Sequence, residues 1–147
     1  MPKATYINGS QQYGTAQISV GSPSVTGVAP LAITKSPDES VRTQCDITNN
    51  GNMDLTIDVT VYHIDHATST NFIGGHASGI PLTVGNTYHV DETEELSKSY
   101  PTGLYDTRIY VTETGQPNAI NGGDTTFLDT WEMDIIVWVQ ITNFSIS

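Results

Sequence analysis

Basic side chains are scarce in this sequence: five Lys plus Arg stand against sixteen Asp plus Glu, a formal charge of −11. A field of that sign repels phosphate backbones and anionic lipid heads, so neither a nucleic-acid partner nor membrane insertion is expected. Long apolar runs are missing too, and nothing approaches the ~18 residues of a membrane span. The opening "MPKATYINGS" has no apolar h-region, so no signal peptide is expected. Cysteine occurs once, as Cys45, which excludes an internal disulfide and reads as a small core hydrophobe. Charged residues make up 14% of the chain, below the usual roughly 25%. Thr, Ser, Asn and Gly carry the polarity instead, a composition often met on surfaces outside cells.

Helical periodicity is also lacking, and period-2 alternation dominates. In "VRTQCDIT" Val41, Thr43, Cys45 and Ile47 share one face, and "NNGN" at 49–52 marks a tight turn. "LTIDVTVYHID" puts Leu55, Ile57, Val59 and Val61 inward. "IPLTV", "TYHVDETEEL" and "LYDTRIYVTET" read as further strands, the last with Tyr105, Thr107, Ile109 and Val111 inward. "HATSTNFIGGHASG" and "GQPNAINGGDTTFLDT" read as long loops. "TWEMDIIVWVQITNF" at 130–144 reads as the closing strand, with Trp131, Met133, Ile135, Val137, Val139 and Ile141 on its core face. The first forty residues are less regular, with one strand near Ala16 to Val20, another near Leu31 to Thr34, and Pro23, Pro30 and Pro37 as interruptions. The expected architecture is all-β: a single sandwich of about 7 to 9 strands over 16–147, preceded by an extended polar N-terminal arm over 1–15.

From Val41 onward the chain resembles the immunoglobulin-like, CARDB-like modules of archaeal and bacterial surface proteins. The resemblance is carried by "TQCDITNNGNMDLTIDVTVYHID", "IPLTVGNTYHV" and "YPTGLYDTRIYVT", similar to strand B with its N-x-G turn, strand C, an L-x-x-G step and the P-x-G-x-Y approach to strand F. "AQISVGSPSV" would serve as strand A. The resemblance implies a fold and a role as spacer, adhesive domain or assembly unit, and no activity.

The chemistry available is thin, and no enzymatic activity is expected. Ser97, His89 and Asp91 make a triad on paper, but no strained Gly-x-Ser-x-Gly elbow presents a nucleophile. There is no phosphate-cradling loop. Any two of sixteen acids make a glycosidase pair, so such a pair carries no information. Cys45 lacks the following His and Met of a copper strand. In "HIDH" an extended strand sends His63 and His66 to opposite faces, against a zinc site. No cofactor is expected. Calcium is the better metal candidate, through Asp91, Glu92 and Glu94 in "DETEE" and Asp124 and Asp129 nearer the end, although a solvated acidic face explains these residues as well. Sequons at Asn8 and Asn143 fit exposure outside a cell.

An immunoglobulin-like sandwich sets strands C, F and G side by side. Alternation then gives one outer face with Tyr62 on C, Arg108 and Tyr110 on F, and Ile136 and Trp138 on G. An aromatic patch of this kind suits a subunit interface, with Arg108 stacked on a ring. Cover by residues 1–30 of the same chain, or sugar stacking on Trp138, would also use it. The expectation is a structural assembly subunit packing through its N-terminal arm and this outer face, first a virion component such as a capsid decoration, minor capsid or tail protein. Its partners would be copies of itself or other structural proteins. A cell-surface or filament subunit, possibly archaeal, and a secreted carbohydrate-binding module are the alternatives, so the expected location is the virion or an extracellular surface.

Overall fold

The computed structural model describes residues 3–7, 10–21, 23–25, 33–35, 40–96 and 99–133, with residues 3–14, 25 and 33–35 through their backbone alone. Every regular element among them is a strand. In chain order these are β1 (Lys3–Ile7), β2 (Ser10–Gly14), β3 (Ile18–Val20), β4 (Ser24–Val25), β5 (Ile33–Lys35) and β6 (Ser40–Asn49). There follow β7 (Leu55–Asp65), β8 (Asn71–Leu82), β9 (Thr87–Glu95), β10 (Gly103–Glu113) and β11 (Ala119–Met133). One sheet runs β5-β11-β10-β7-β8; in the other, β6 has β3 and β4 along one edge and β9 along the other. Among the described residues every ladder between two strands is antiparallel except that of β5 with β11, and an isolated parallel bridge joins Gln17 to Asn121. This is an immunoglobulin-like β-sandwich.

Alternation sets the layers. Along β6, Val41, Thr43, Cys45 and Ile47 are buried, and along β7 Leu55, Ile57, Val59 and Val61 are. With Ile18, Val90, Ile109 and Val111 most of these form the larger of two core clusters, and burial pushes the Cys45 thiol up to about 12. The smaller cluster gathers Val41, Leu96, Tyr100, Tyr105, Trp131 and Met133 at one end of the sandwich. There Tyr105 stacks on Trp131 with centroids 4.2 Å apart and donates its hydroxyl to the Pro101 carbonyl at 2.7 Å. That is the tyrosine corner of immunoglobulin-like folds, built here from "PTGLY".

Two stretches that read as loops are strands. Most of "HATSTNFIGGHASG" belongs to β8, which runs on through Ile80 and Leu82 as one edge strand. Its glycines and Pro81 disfavour a strand locally, but the open edge of β7 supplies the ladder and packing selects them. A Cβ at Gly74 would collide with the buried His63 ring, and one at Gly75 with the Glu92 side chain. Likewise "GQPNAINGGDTTFLDT" mostly becomes β11, paired with β10 from Thr112↔Ala119 to Gly103↔Met133. The N-terminal stretch expected as an extended arm pairs with itself, Lys3↔Gly14 through Ile7↔Ser10, as a separate hairpin.

β11 depends on Gly122. Its φ is +85° and an added Cβ would overlap the Ile18 carbonyl of β3. Gly122→Ala therefore adds left-handed backbone strain to a backbone clash and is expected to lose about 1–3 kcal/mol of stability. Urea denaturation checks this; an unchanged midpoint would show that β3 and β11 are not held as close as described.

Candidate functional site

Strand register builds the outer face of the five-stranded sheet from its middle. Arg108 on β10 lies directly opposite Tyr62 on β7. Its guanidinium carbon stands 5.7 Å from the Tyr62 ring centroid and 4.9 Å from that of Tyr110. Nε and Nη2 donate to the two carboxylate oxygens of Asp124 on β11 at 2.7 and 2.8 Å. The Arg108 guanidinium holds the Asp124 carboxyl below the usual carboxylate range, and that carboxylate raises Arg108 in turn. Tyr110 is tied down as well, its hydroxyl donating to the Pro117 carbonyl at 2.8 Å. The face is thus an ordered aromatic and arginine cluster with its central charge paired.

The places beside Arg108 and Tyr110 expected for Ile136 and Trp138 are taken by Thr126 and Asp124. The reason is register: β11 begins at Ala119, eleven residues before the expected closing strand, and reaches the start of β10 by Met133. Ile136 and Trp138 lie outside the described residues. The same register brings in two residues that sequence reasoning passed over. Ile73 lies opposite Tyr62 and is 61% exposed, and Leu128 on β11 is 66% exposed. Phe72 and Phe127, their immediate neighbours, pack on the core, so Ile73 and Leu128 face out. Both sat in supposed loops. The signal was present in "DTTFLD", where Thr125 and Phe127 alternate with Thr126 and Leu128.

The five calcium candidates do not converge. Asp91 is held by Arg42 in a two-point pair at 2.8 and 2.6 Å, and Asp124 by Arg108. Glu92 lies over Gly75 on β8. Glu94 faces Val41 in the β6–β9 ladder. The paper triad does not form either: His89 Nδ1 is 2.7 Å from Asp46, Asp91 is engaged by Arg42, and Ser97 lies outside the described residues.

The two histidines of "HIDH" do part. His63 is fully buried, and its Nδ1 accepts the Trp131 indole N–H at 3.2 Å. His66, in the turn after β7, faces out, with Nδ1 3.0 Å from both Asp106 carboxylate oxygens and 3.8 Å from Asp129. Asp106 alternates with the inward Tyr105 and Thr107 and so belongs to the outer face, yet it is only 6% exposed. A bulge on β11, where Leu128, Asp129 and Thr130 pass the single residue Asp106, covers it. That bulge turns Asp129 to a φ of +54°, and its N–H donates to Asp106 Oδ1 at 2.9 Å.

No known protein family matches the sequence, and no curated protein is similar to it. Similar solved structures exist at low identity. One is the alkylpurine DNA glycosylase AlkC of Pseudomonas fluorescens bound to DNA with an abasic site analog: TM-score 0.56, 12% identity, 82% of this chain and 31% of that one. A CARDB domain of Pyrococcus furiosus in complex with di-metal ions gives 0.53 and 12%, covering 83% of this chain and 90% of the domain. A β-glucosidase of Listeria innocua in complex with laminaribiose gives 0.54 and 13%, covering 85% of this chain and 17% of the enzyme. This chain thus spans under a third of either enzyme and nearly all of the CARDB domain. At these identities the likeness is one of fold.

Proposed function

We propose that this chain is a non-enzymatic structural assembly subunit, a virion component such as a capsid decoration, minor capsid or tail protein, whose outer five-stranded face packs against further copies of itself. The observation that carries this reading is the pre-ordered cluster of Tyr62, Arg108 and Tyr110 flanked by the exposed Ile73 and Leu128. Tyrosine and arginine dominate interface energetics, and side chains already held in place lose little entropy on binding. Burying Ile73 or Leu128 in a contact contributes about 1.5–3 kcal/mol each. Two copies each carrying −11 repel, and the pairing of Arg108 with Asp124 keeps the centre of this face from adding an unpaired charge to that repulsion.

The same pairing argues against other partners. Both arginines of the chain are engaged by aspartates, which leaves them poorly placed to bind phosphate. Arg108 lies over Tyr62 and Tyr110, the rings a sugar would otherwise stack on. No helix among the described residues is long and apolar enough to cross a membrane. The neighbouring genes, capsid or secretion, discriminate between a virion component and a secreted filament.

The test is light scattering on the purified full chain and on an Ile73→Glu, Leu128→Glu double variant. Both side chains are largely exposed, so the variant should keep its far-ultraviolet dichroism while the wild-type oligomer falls to monomer. A monomeric wild type, or a variant that assembles as the wild type does, would rule the proposal out.

A further inference from the structure

Among the described residues, one group of three metal-ligating side chains converges: His66, Asp106 and Asp129, whose ligand atoms all lie within 4.8 Å of one another. The geometry points to a binding site for a divalent ion of the zinc class, held by His66 Nδ1 and one carboxylate oxygen from each aspartate. The donors come from three separate elements: the turn after β7, the middle of β10 and the bulge of β11. Convergence of this kind is a tertiary arrangement, unlike a run of acids on one loop.

The two separations measured from His66 fit a shared ion. Zinc holds imidazole nitrogen and carboxylate oxygen at about 2.1 Å, so two donors on one ion lie about 3.0 Å apart at a right angle and about 3.8 Å apart near 130°. His66 Nδ1 stands 3.0 Å from Asp106 and 3.8 Å from Asp129. A proton fills that gap, since a carboxylate only accepts and the imidazole Nδ1–H donates to Asp106 at 3.0 Å. A metal ion would replace that proton.

The scaffold is held in advance. The His66 N–H donates to the Leu104 carbonyl at 3.0 Å, and Asp65 accepts from the Ala67 N–H and the Thr68 hydroxyl at 3.1 and 3.0 Å, closing the turn. Asp106 is buried, while the His66 and Asp129 side chains are 48% and 51% exposed, so an ion can enter from solvent and keep water in its remaining positions. Imidazole with two carboxylates selects zinc or its neighbours over calcium, which takes six to eight oxygens.

Calorimetric titration of the full chain with zinc, followed by cobalt substitution read by visible absorption, tests the site. One zinc ion per chain is expected, weakened at least about tenfold by His66→Ala and by Asp129→Asn. Both side chains are half exposed, so these variants should fold, whereas Asp106→Asn risks the fold and is not needed. His89→Gln, which removes the exposed histidine beside Asp46, should bind zinc as the wild type does. Absence of zinc binding, or binding that survives His66→Ala unchanged, would overturn the assignment. The readout does not depend on assembly through the outer face, so either reading can fail alone.

Discussion

Trp131→Ala is expected to cost the protein about 3–5 kcal/mol, a large part of the stability of a domain of this size. Trp131 is fully buried and is a hub of the smaller core cluster. It stacks on Tyr105 with an interplanar angle of 10° and meets the edge of His63 at 88°. The truncation leaves a cavity between Tyr105 on β10, Tyr100 in the turn before it and His63 on β7, which cannot all collapse into it. It also removes the indole N–H, so His63 Nδ1 loses its donor inside the core. Trp131→Phe keeps most of the volume and should lose less, the difference reporting chiefly the hydrogen bond and the lost ring. Denaturant melts of both variants measure this, and a loss below about 1 kcal/mol for alanine would mean that this end of the sandwich is far looser than described.

Acid should destabilise the protein through His63 by up to about 3 kcal/mol. A tryptophan N–H only donates, so Nδ1 must accept, and the proton of the neutral ring sits on Nε2, which is buried without a partner. Charging the ring would place a second N–H against the indole and a cation in the core. Burial accordingly lowers His63 from 6.5 to about 4. A folded-state value below the unfolded one means that the unfolded chain takes up the proton first. Stability is therefore fully present above about pH 6.5, falls as pH drops toward 4, and gains no further loss from this group below that. Urea melts across this window check it, and in His63→Gln the slope between pH 6.5 and 4 should shrink. An unchanged slope in that variant would place the acid sensitivity elsewhere.

Legibility followed the physics of each element. β6, β7 and β10 were readable because one face is apolar and the other polar over nine or more residues, so alternation, pairing face and core membership agree. Gly103 and Tyr105 in "PTGLY" marked the approach to strand F through the P-x-G-x-Y resemblance, while the tyrosine corner formed there is a finding of the structure. β8 was not readable, because Gly74 and Gly75 are selected by what packs on them, the His63 ring and Glu92, and glycine by itself signals a loop. β11 was hidden in the same way by "NGG" and by a bulge that breaks the alternation at Leu128.

The candidate sites divide along the same line. That Tyr62, Arg108 and Tyr110 share a face follows from side-chain parity on two strands, a local property of the backbone that the sequence carries by itself. Which residues stand beside them does not, because register between strands is set by bulges, turns and core packing. Hence Asp124 and Thr126 occupy the places expected for Trp138 and Ile136, and Ile73 and Leu128 join the face unannounced. The fold class, the inward faces and the burial of Cys45 were determined by the sequence alone, through hydrophobic periodicity. The meeting of His66, Asp106 and Asp129 was decided only by tertiary structure, since residues 40 and 23 positions apart are brought within hydrogen-bond reach by one turn and one bulge that no local pattern encodes.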